Sequence, residues 1–246
     1  MRIALLSDVH ANREALSACL AHAQACSVDR YIFLGDYVGY GADPGWAVDT
    51  VAAHIEAGAI AVRGNHDAAV VGSDADMNDT ARAAIAWTRT QLTPQQCDFL
   101  GSLPLSAKQA DSLFVHASAW APEAWDYVTD VRAASRSFGA TQQHATFCGH
   151  VHVPEIYHLS GTGKIASFTP IAGTAIPLTP QRRWLAILGA VGQPRDGIPA
   201  ASYAILDEER ATLTYMRVPY DAAGAAAKVR AAGLPAVLSL RLLAGR

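Results

Sequence analysis

Asp8 and His10 stand two residues apart where an apolar run, Ile3-Ala4-Leu5-Leu6, gives out. The chain repeats that arrangement downstream. Asp36 follows Tyr31-Ile32-Phe33-Leu34, and Asn65 and His66 follow Ala59-Ile60-Ala61-Val62. His116 follows Leu113-Phe114-Val115, and His150 and His152 follow Thr146-Phe147-Cys148. Carboxylate, imidazole and side-chain amide gathered at one point suit a divalent transition metal. A lone Asp-x-His pair arises often by chance, but three successive strands ending in such residues do not. No Ser-His-Asp arrangement accompanies them.

To bring those residues together, the apolar runs must be buried strands whose carboxyl ends share one edge. In extended backbone, residues i and i+2 share a face. Asp8 and His10 can therefore aim at one point, and the alternation of His150 and His152 puts both rings on one side. Leu16, Cys19, Leu20 and Ala23 recur at helical spacing and predict a helix over 11–25. Pro44 opens a second, running to about Gly58. Strand, helix, strand, helix, strand at this spacing implies right-handed crossovers and a largely parallel sheet. Asn12, near the start of the first helix, fits an N-cap as well as a substrate contact.

Residues 68–110 are helix-biased and polar-faced, with Asp79 or Thr80 as a cap and Pro94 starting a further helix. They read as a lid or flank over the site. Segment 130–139 is expected to be helical. Residues 156–159 and 164–168, joined through Ser160-Gly161-Thr162-Gly163, predict a hairpin. Further strands are expected at 184–188, 202–206 and 212–218, forming a second sheet packed on the first. The alanine-rich tail 220–246 reads as helical, broken at Gly233-Leu234-Pro235. It would dock on the sheet or on another subunit, which leaves a homo-oligomer open.

With 246 residues and no linker or composition break, the chain reads as one domain over 1–246. A net charge of -3 offers no basic stripe, so neither nucleic acid nor a membrane surface is expected as a partner. The four cysteines are scattered without a C-x-x-C pair and read as buried thiols of a reducing compartment. A cytoplasmic protein acting on a small molecule is the expectation.

Taken in order, Asp8-x-His10, Gly35-Asp36, Gly64-Asn65-His66-Asp67, the isolated His116 and Gly149-His150-x-His152 resemble the calcineurin-like metallophosphoesterase superfamily, motif for motif. The match spans residues 1–152, and Gly192-Gln193-Pro194-Arg195-Asp196-Gly197 extends the likeness to the compact bacterial YfcE-like branch. The resemblance implies an α/β fold of two packed mixed β-sheets flanked by helices, a four-layer α/β/β/α sandwich. It also implies two divalent ions. Asp8, His10, Asp36 and His152 would hold one; Asp36, Asn65, His116 and His150 would hold the other, with Asp36 bridging. Mixed imidazole and carboxylate donors suit Mn, Fe, Zn or Ni better than Mg or Ca, and Mn is favoured. Two such ions less two Asp charges leave roughly +2, which attracts phosphate. A metal-bridging hydroxide would then attack phosphorus.

His66 is the motif histidine that this metal count leaves free. The family places it on the substrate side, where it would protonate the leaving alkoxide or stabilise transition-state charge. Asp67 would orient its other nitrogen and raise its pKa. Arg195 would meet a substrate phosphate or simply pair with Asp196.

Three departures narrow the expectation. Gly39-Tyr40 stand where the protein Ser/Thr phosphatase branch carries an Asp-Arg pair, and Asp67 replaces that branch's Glu. Ile187-Leu188-Gly189-Ala190 replace the Asn-x-Gly-Ser run of the bacterial branch. Phosphoprotein recognition is thus poorly supported. The expected activity is metal-dependent hydrolysis, by a phosphodiesterase or phosphatase, of a small soluble phosphate ester, with a phosphodiester or nucleotide favoured. The alternative is a non-catalytic protein-interaction scaffold on the same fold. A complete ligand set favours catalysis.

Overall fold

The protein is described by a computed structural model covering residues 1–246. β1 (Arg2–Leu6) passes through α1 (Arg13–Ala25) to β2 (Arg30–Phe33), and α2 (Pro44–Glu56) leads on to β3 (Ile60–Ala61). β2 runs parallel to β1 and β3 parallel to β2. α3 (Asn65–Val71), α4 (Asp79–Gln91) and α5 (Pro94–Ser102) follow, then the hairpin of β4 (Ser106–Gln109) and β5 (Ser112–Val115). α6 (Val131–Gly139) crosses to β6 (Ala145–Cys148), parallel to β5. β7 (Glu155–Ser160), β8 (Ile165–Phe168), β9 (Ala175–Pro177), β10 (Arg182–Ile187), β11 (Ala201–Asp207) and β12 (Thr212–Val218) complete the strands. α7 (Ala222–Ala231) and α8 (Ala236–Ala244) close the chain.

The strands form two mixed six-stranded sheets, ordered β3-β2-β1-β11-β12-β9 and β4-β5-β6-β10-β7-β8. The apolar run of β1 is continuous because the strand is covered on both faces. Ile3 and Leu5 join Ile32, Phe114, Phe147 and Trp184 in the layer between the sheets. Ala4 and Leu6 face Leu16, Cys19 and Val51 beneath the first two helices. On the far side, Leu113, Val115 and Leu185 pack against Ala134 and Phe138 of α6. Helices therefore flank both sheets, as the family resemblance implies. No helix is long and apolar enough to cross a membrane.

The segment 68–110 divides into helices that pack beside α2 and a strand that the sequence conceals. Ser106–Gln109 forms the edge strand β4, half exposed and without a large apolar residue to announce it. β9 is a second unexpected edge strand, three residues long. The tail docks within its own chain. Lys228 of α7 pairs with Glu14 at 2.6 Å and Asp43 at 2.8 Å, tying the starts of α1 and α2 together. Val229, Leu238 and Leu242 cluster with Tyr40, Ala81 and Ala84.

Candidate metal centre

The polar residues gather at one edge, but not by extended alternation. β1 ends at Leu6 and β6 at Cys148. Beyond them Asp8 (φ 55°), His10 (φ 49°), His150 (φ 64°) and His152 (φ 65°) adopt left-handed backbone, as does Asp36 (φ 56°). Such a conformation costs a non-glycine residue roughly 1 kcal/mol or more and persists only where surroundings enforce it. Here cross-loop hydrogen bonds enforce it. The His10 amide donates to the Asp36 carbonyl at 2.8 Å, and the Gly149 amide to the His116 carbonyl at 2.9 Å. His152 consequently faces His10 while His150 faces His116.

Two donor groups result, joined through Asp36. In the first, His152 Nε2 lies 3.1 Å from His10 Nε2 and 3.2 Å from Asp8 Oδ1. Asp36 Oδ2 lies 3.7 Å from His10 Nε2. In the second, His116 Nε2 lies 3.3 Å from the same Asp36 Oδ2, 3.0 Å from Asn65 Oδ1 and 3.1 Å from His150 Nδ1. Donors bound about 2.1 Å from one ion stand roughly 3.0 Å apart at right angles and about 3.4 Å apart at tetrahedral angles. The separations of 3.0–3.3 Å fit the edges of such a polyhedron, while His10 Nε2 stands wider, 3.7 Å from Asp36 Oδ2 and 3.9 Å from Asp8 Oδ1.

Proton placement supports the fit. His10, His116 and His152 each turn Nδ1 to a backbone carbonyl, of Val38 (3.2 Å), Leu34 (2.7 Å) and Gln193 (2.6 Å). Those N–H bonds fix the tautomer and aim the Nε2 lone pairs inward. The Nε2 lone pairs of His10 and His152 thus face one another and Asp8 Oδ1, a buried oxygen without a hydrogen-bond partner. Like dipoles at that spacing repel unless a cation lies among them.

The carboxylates are oriented by backbone. Asp36 Oδ1 accepts the His66 amide at 2.8 Å, leaving Oδ2 to both groups, and Asp8 Oδ2 accepts the His150 amide at 2.9 Å. Both contacts require glycine next door. A Cβ at Gly64 would overlap Asp36 Oδ1, and one at Gly149 would overlap the Asp8 carboxylate.

The charge balance without metal is informative. Burial opposes ionisation of Asp8 and Asp36, yet the histidines around them hold both carboxyls well below the usual range. Burial also opposes a charge on His116, but Asp36 beside it lifts its pKa to about 9. A proton there does the electrostatic work that a metal ion would do. Burial, with His116 adding repulsion, lowers His150 to about 3, so that ring is neutral and able to ligate.

The remaining expectations need correction. Asp67 does not touch the His66 ring. Its oxygens accept the amides of Asp36 and Gly64, both at 2.8 Å, and of Tyr37 at 2.9 Å. Burial and the Asp36 charge raise its pKa to about 7. His66 Nδ1 has no partner and lies against Gly39, where a Cβ would collide with it. Burial therefore lowers His66 to about 4, the reverse of the expected rise. Its ring nitrogen falls within 4.8 Å of donors on His10 and Asp36, at the centre's open side. Asn12 is fully used as structure: Oδ1 caps α1 by accepting the Ala15 amide, and Nδ2 donates to the Gly192 carbonyl. Asp196 pairs with Arg217, while Arg195 donates to Gln193 Oε1 at 3.0 Å and lies over the Tyr40 ring.

The sequence marks Tyr40 only as a departure from the phosphatase pattern and gives no sign of Trp125 or Tyr127. Tyr40 packs on His10 and His66 with centroids 4.6 and 4.5 Å apart, Tyr127 stacks on His150 at 4.0 Å, and Trp125 meets His116 edge-on at 5.9 Å. They wall an open cleft of about 420 Å³.

Paired sheets whose loops deliver Asp, Asn and His to a shared carboxylate define a metallophosphoesterase architecture. The chain belongs to the calcineurin-like phosphoesterase superfamily, whose domain model matches residues 1–211. That family is metal-dependent and acts on phosphoesters. An uncharacterized protein of Methanocaldococcus jannaschii is 35% identical over 260 residues, spanning 99% of this chain and 98% of its own. The crystal structure of a metallophosphoesterase from Sphaerobacter thermophilus superposes with TM-score 0.88 at 39% identity, covering 100% of this chain and 99% of the other. A hypothetical protein of Pyrococcus horikoshii shares the fold, with TM-score 0.80 at 17% identity over 100% of this chain and 98% of its own.

Proposed function

We propose that this protein is a binuclear metal-dependent phosphoesterase that hydrolyses a small soluble phosphate ester. The observation that carries the reading is the position of Asp36 Oδ2, 3.7 Å from His10 Nε2 and 3.3 Å from His116 Nε2, between the Asp8-His10-His152 group and the His116-His150 pair. Asp8, His10, Asp36 and His152 would hold one ion, and Asp36, Asn65, His116 and His150 the other, Mn²⁺ being favoured. Divalent ions so placed supply an activated water and Lewis acidity at the phosphoryl oxygens.

The chain's own residues do the rest. Backbone amides of His66 and His150 hold the carboxylates in place, and three backbone carbonyls keep the imidazole lone pairs inward. His66, neutral and buried beside the centre, acts through a ring N–H as a donor to the phosphoryl group. Asp67 positions the Asp36 loop. Arg195, half-buried above Tyr40, meets the phosphate from the open side. All seven donor positions are filled and converge, which supports catalysis over a scaffold.

The test is a metal-reconstituted assay across p-nitrophenyl phosphate, its bis-ester, cyclic nucleotides and diadenosine polyphosphates. Turnover that depends on added Mn²⁺ and vanishes on chelation is expected. No turnover of any of them with metal bound would favour the scaffold.

A further inference from the structure

Tyr127 is an exposed aromatic residue that its surroundings nonetheless hold in place. The residue after it, Val128, is buried beneath α6 with Leu113 and Val115. The residue before it, Asp126, pairs with Arg136 of α6 at 3.3 Å. Trp125 takes left-handed backbone (φ 55°) and meets His116 edge-on. The Tyr127 ring itself stacks on His150 at 4.0 Å. A phenylalanine would stack as well, so the stack does not account for the hydroxyl.

That hydroxyl faces a cation. The Arg195 guanidinium lies over the Tyr40 ring, 5.8 Å from its centroid, and against the Tyr127 phenol. Its Nε and one terminal nitrogen donate to Gln193 Oε1 at 3.3 and 3.0 Å. Asp196 beside it is taken by Arg217, and no other carboxylate pairs with Arg195. Three loops therefore supply its neighbours: Tyr40 after β2, Tyr127 after β5 and Gln193 after β10. All three are neutral. A carboxylate in any of these places would cancel the charge it orients. Amide and phenol oxygens instead restrain a guanidinium and leave its charge free for an anion. A restrained arginine also loses less side-chain entropy when phosphate arrives.

We infer that Tyr127 is a positioning residue for phosphate recognition: its hydroxyl accepts from Arg195 and, with Tyr40 and Gln193, holds the guanidinium at the open side of the centre. The inference rests on the phosphoesterase reading and deepens it. Ring and hydroxyl then have separate tasks. The ring covers the imidazole of His150, and the hydroxyl orients the cation that meets the phosphate. One side chain links a donor of the centre to its anion contact.

The test is a double-mutant cycle of Tyr127→Phe and Arg195→Gln in the full chain loaded with Mn²⁺. It reads KM for p-nitrophenyl phosphate or its bis-ester, whichever is hydrolysed, and the Kd of inorganic phosphate by calorimetry. Tyr127→Phe keeps the stack, so bound metal and kcat should hold while KM and the phosphate Kd rise roughly three- to tenfold, the worth of one hydrogen bond. In the Arg195→Gln background the same change should add less than about twofold. A hydroxyl that serves only the fold would lower Tm and move neither KM nor Kd, which overturns the inference. An Arg195→Gln variant with unchanged phosphate Kd overturns it too. An equal rise in both backgrounds would show Tyr127 acting without Arg195, and a loss of Mn²⁺ with Kd unchanged would show it acting only through His150; either result also overturns it. If the wild type hydrolyses no phosphoester, the phosphoesterase reading fails, and the phosphate titration still decides the role of Tyr127.

Discussion

The carboxylate of Asp67 accepts the backbone amide of Asp36, 31 residues away, at 2.8 Å and that of Tyr37, 30 residues away, at 2.9 Å. The same carboxylate accepts the Gly64 amide at 2.8 Å. One buried side chain thus joins the Asp36 loop to the start of α3, which carries Asn65 and His66.

That relationship predicts the behaviour of Asp67→Ala. Stranding buried amides costs about 1–3 kcal/mol each, so thermal denaturation should show a substantial loss of Tm. Loosening the Asp36 loop should also weaken metal binding at both positions by roughly 10–100-fold, the usual worth of an outer partner to a ligand. Calorimetric titration with Mn²⁺ checks this. Unchanged metal affinity in a folded variant would place Asp67 outside the positioning network.

Stoichiometry follows from the shared oxygen. Reconstituted protein should bind two equivalents of Mn²⁺, read by elemental analysis after desalting. Asp36→Asn should weaken both bound ions, because it removes charge common to both groups. His152→Ala should chiefly weaken the one bound through Asp8 and His10, leaving the His116 and His150 group occupied. A single ion in fully active protein would exclude the binuclear reading.

Asn12→Ala separates structure from function at a residue whose sequence position allowed both. Its Oδ1 caps α1 and its Nδ2 ties down the Gly192 carbonyl. Losing the cap should cost about 1 kcal/mol of stability. KM should stay within twofold of wild type once the protein is folded. A large rise in KM without a change in Tm would restore Asn12 as a substrate contact.

How much of this was legible in the sequence depends on what each residue does. Asp8, His10, Asp36, His116, His150 and His152 announce themselves because donor chemistry tolerates few residue types, and buried strands advertise themselves by unbroken apolar runs. The means of convergence was hidden. Alternation along an extended strand places His150 and His152 on one side, but it is left-handed backbone after Cys148 that delivers them to different donor groups. Asp67 was misread because its partners are amides, which leave no trace in residue types. β4 was missed because a four-residue edge strand of Ser, Ala, Lys and Gln buries too little to show a period. Trp125 and Tyr127 sit in a loop between elements, where no periodicity points to a wall.

Arg195 offers a sharper test of phosphate binding. Its guanidinium is anchored on Gln193, whose carbonyl also orients His152. Arg195→Gln removes a charge-assisted contact worth about 1.5–3 kcal/mol, so KM for a phosphate ester should rise roughly 10–100-fold. Turnover at saturation should change little. A fall in kcat with KM unchanged would show that Arg195 acts through His152 and not on substrate.

His66 carries the last prediction. His66→Ala should retain both ions, since the two donor groups are complete without it, while turnover falls by roughly 10²–10³, the usual loss for one donor at developing charge. The substrate dependence then distinguishes its two chemical roles. A general acid matters most when the leaving group is a poor one, since an alkoxide needs a proton and p-nitrophenolate does not. A donor to the phosphoryl oxygens matters equally for both. In this chain no carboxylate backs the ring: Asp67 is committed to amides, and Gly39 stands against Nδ1. A neutral, unbacked imidazole is suited to hydrogen bonding and poorly suited to delivering a proton. The losses on p-nitrophenyl phosphate and on an alkyl phosphate should therefore agree within about threefold. A loss confined to the alkyl ester would make His66 the general acid, and a loss of bound metal would make it a ligand.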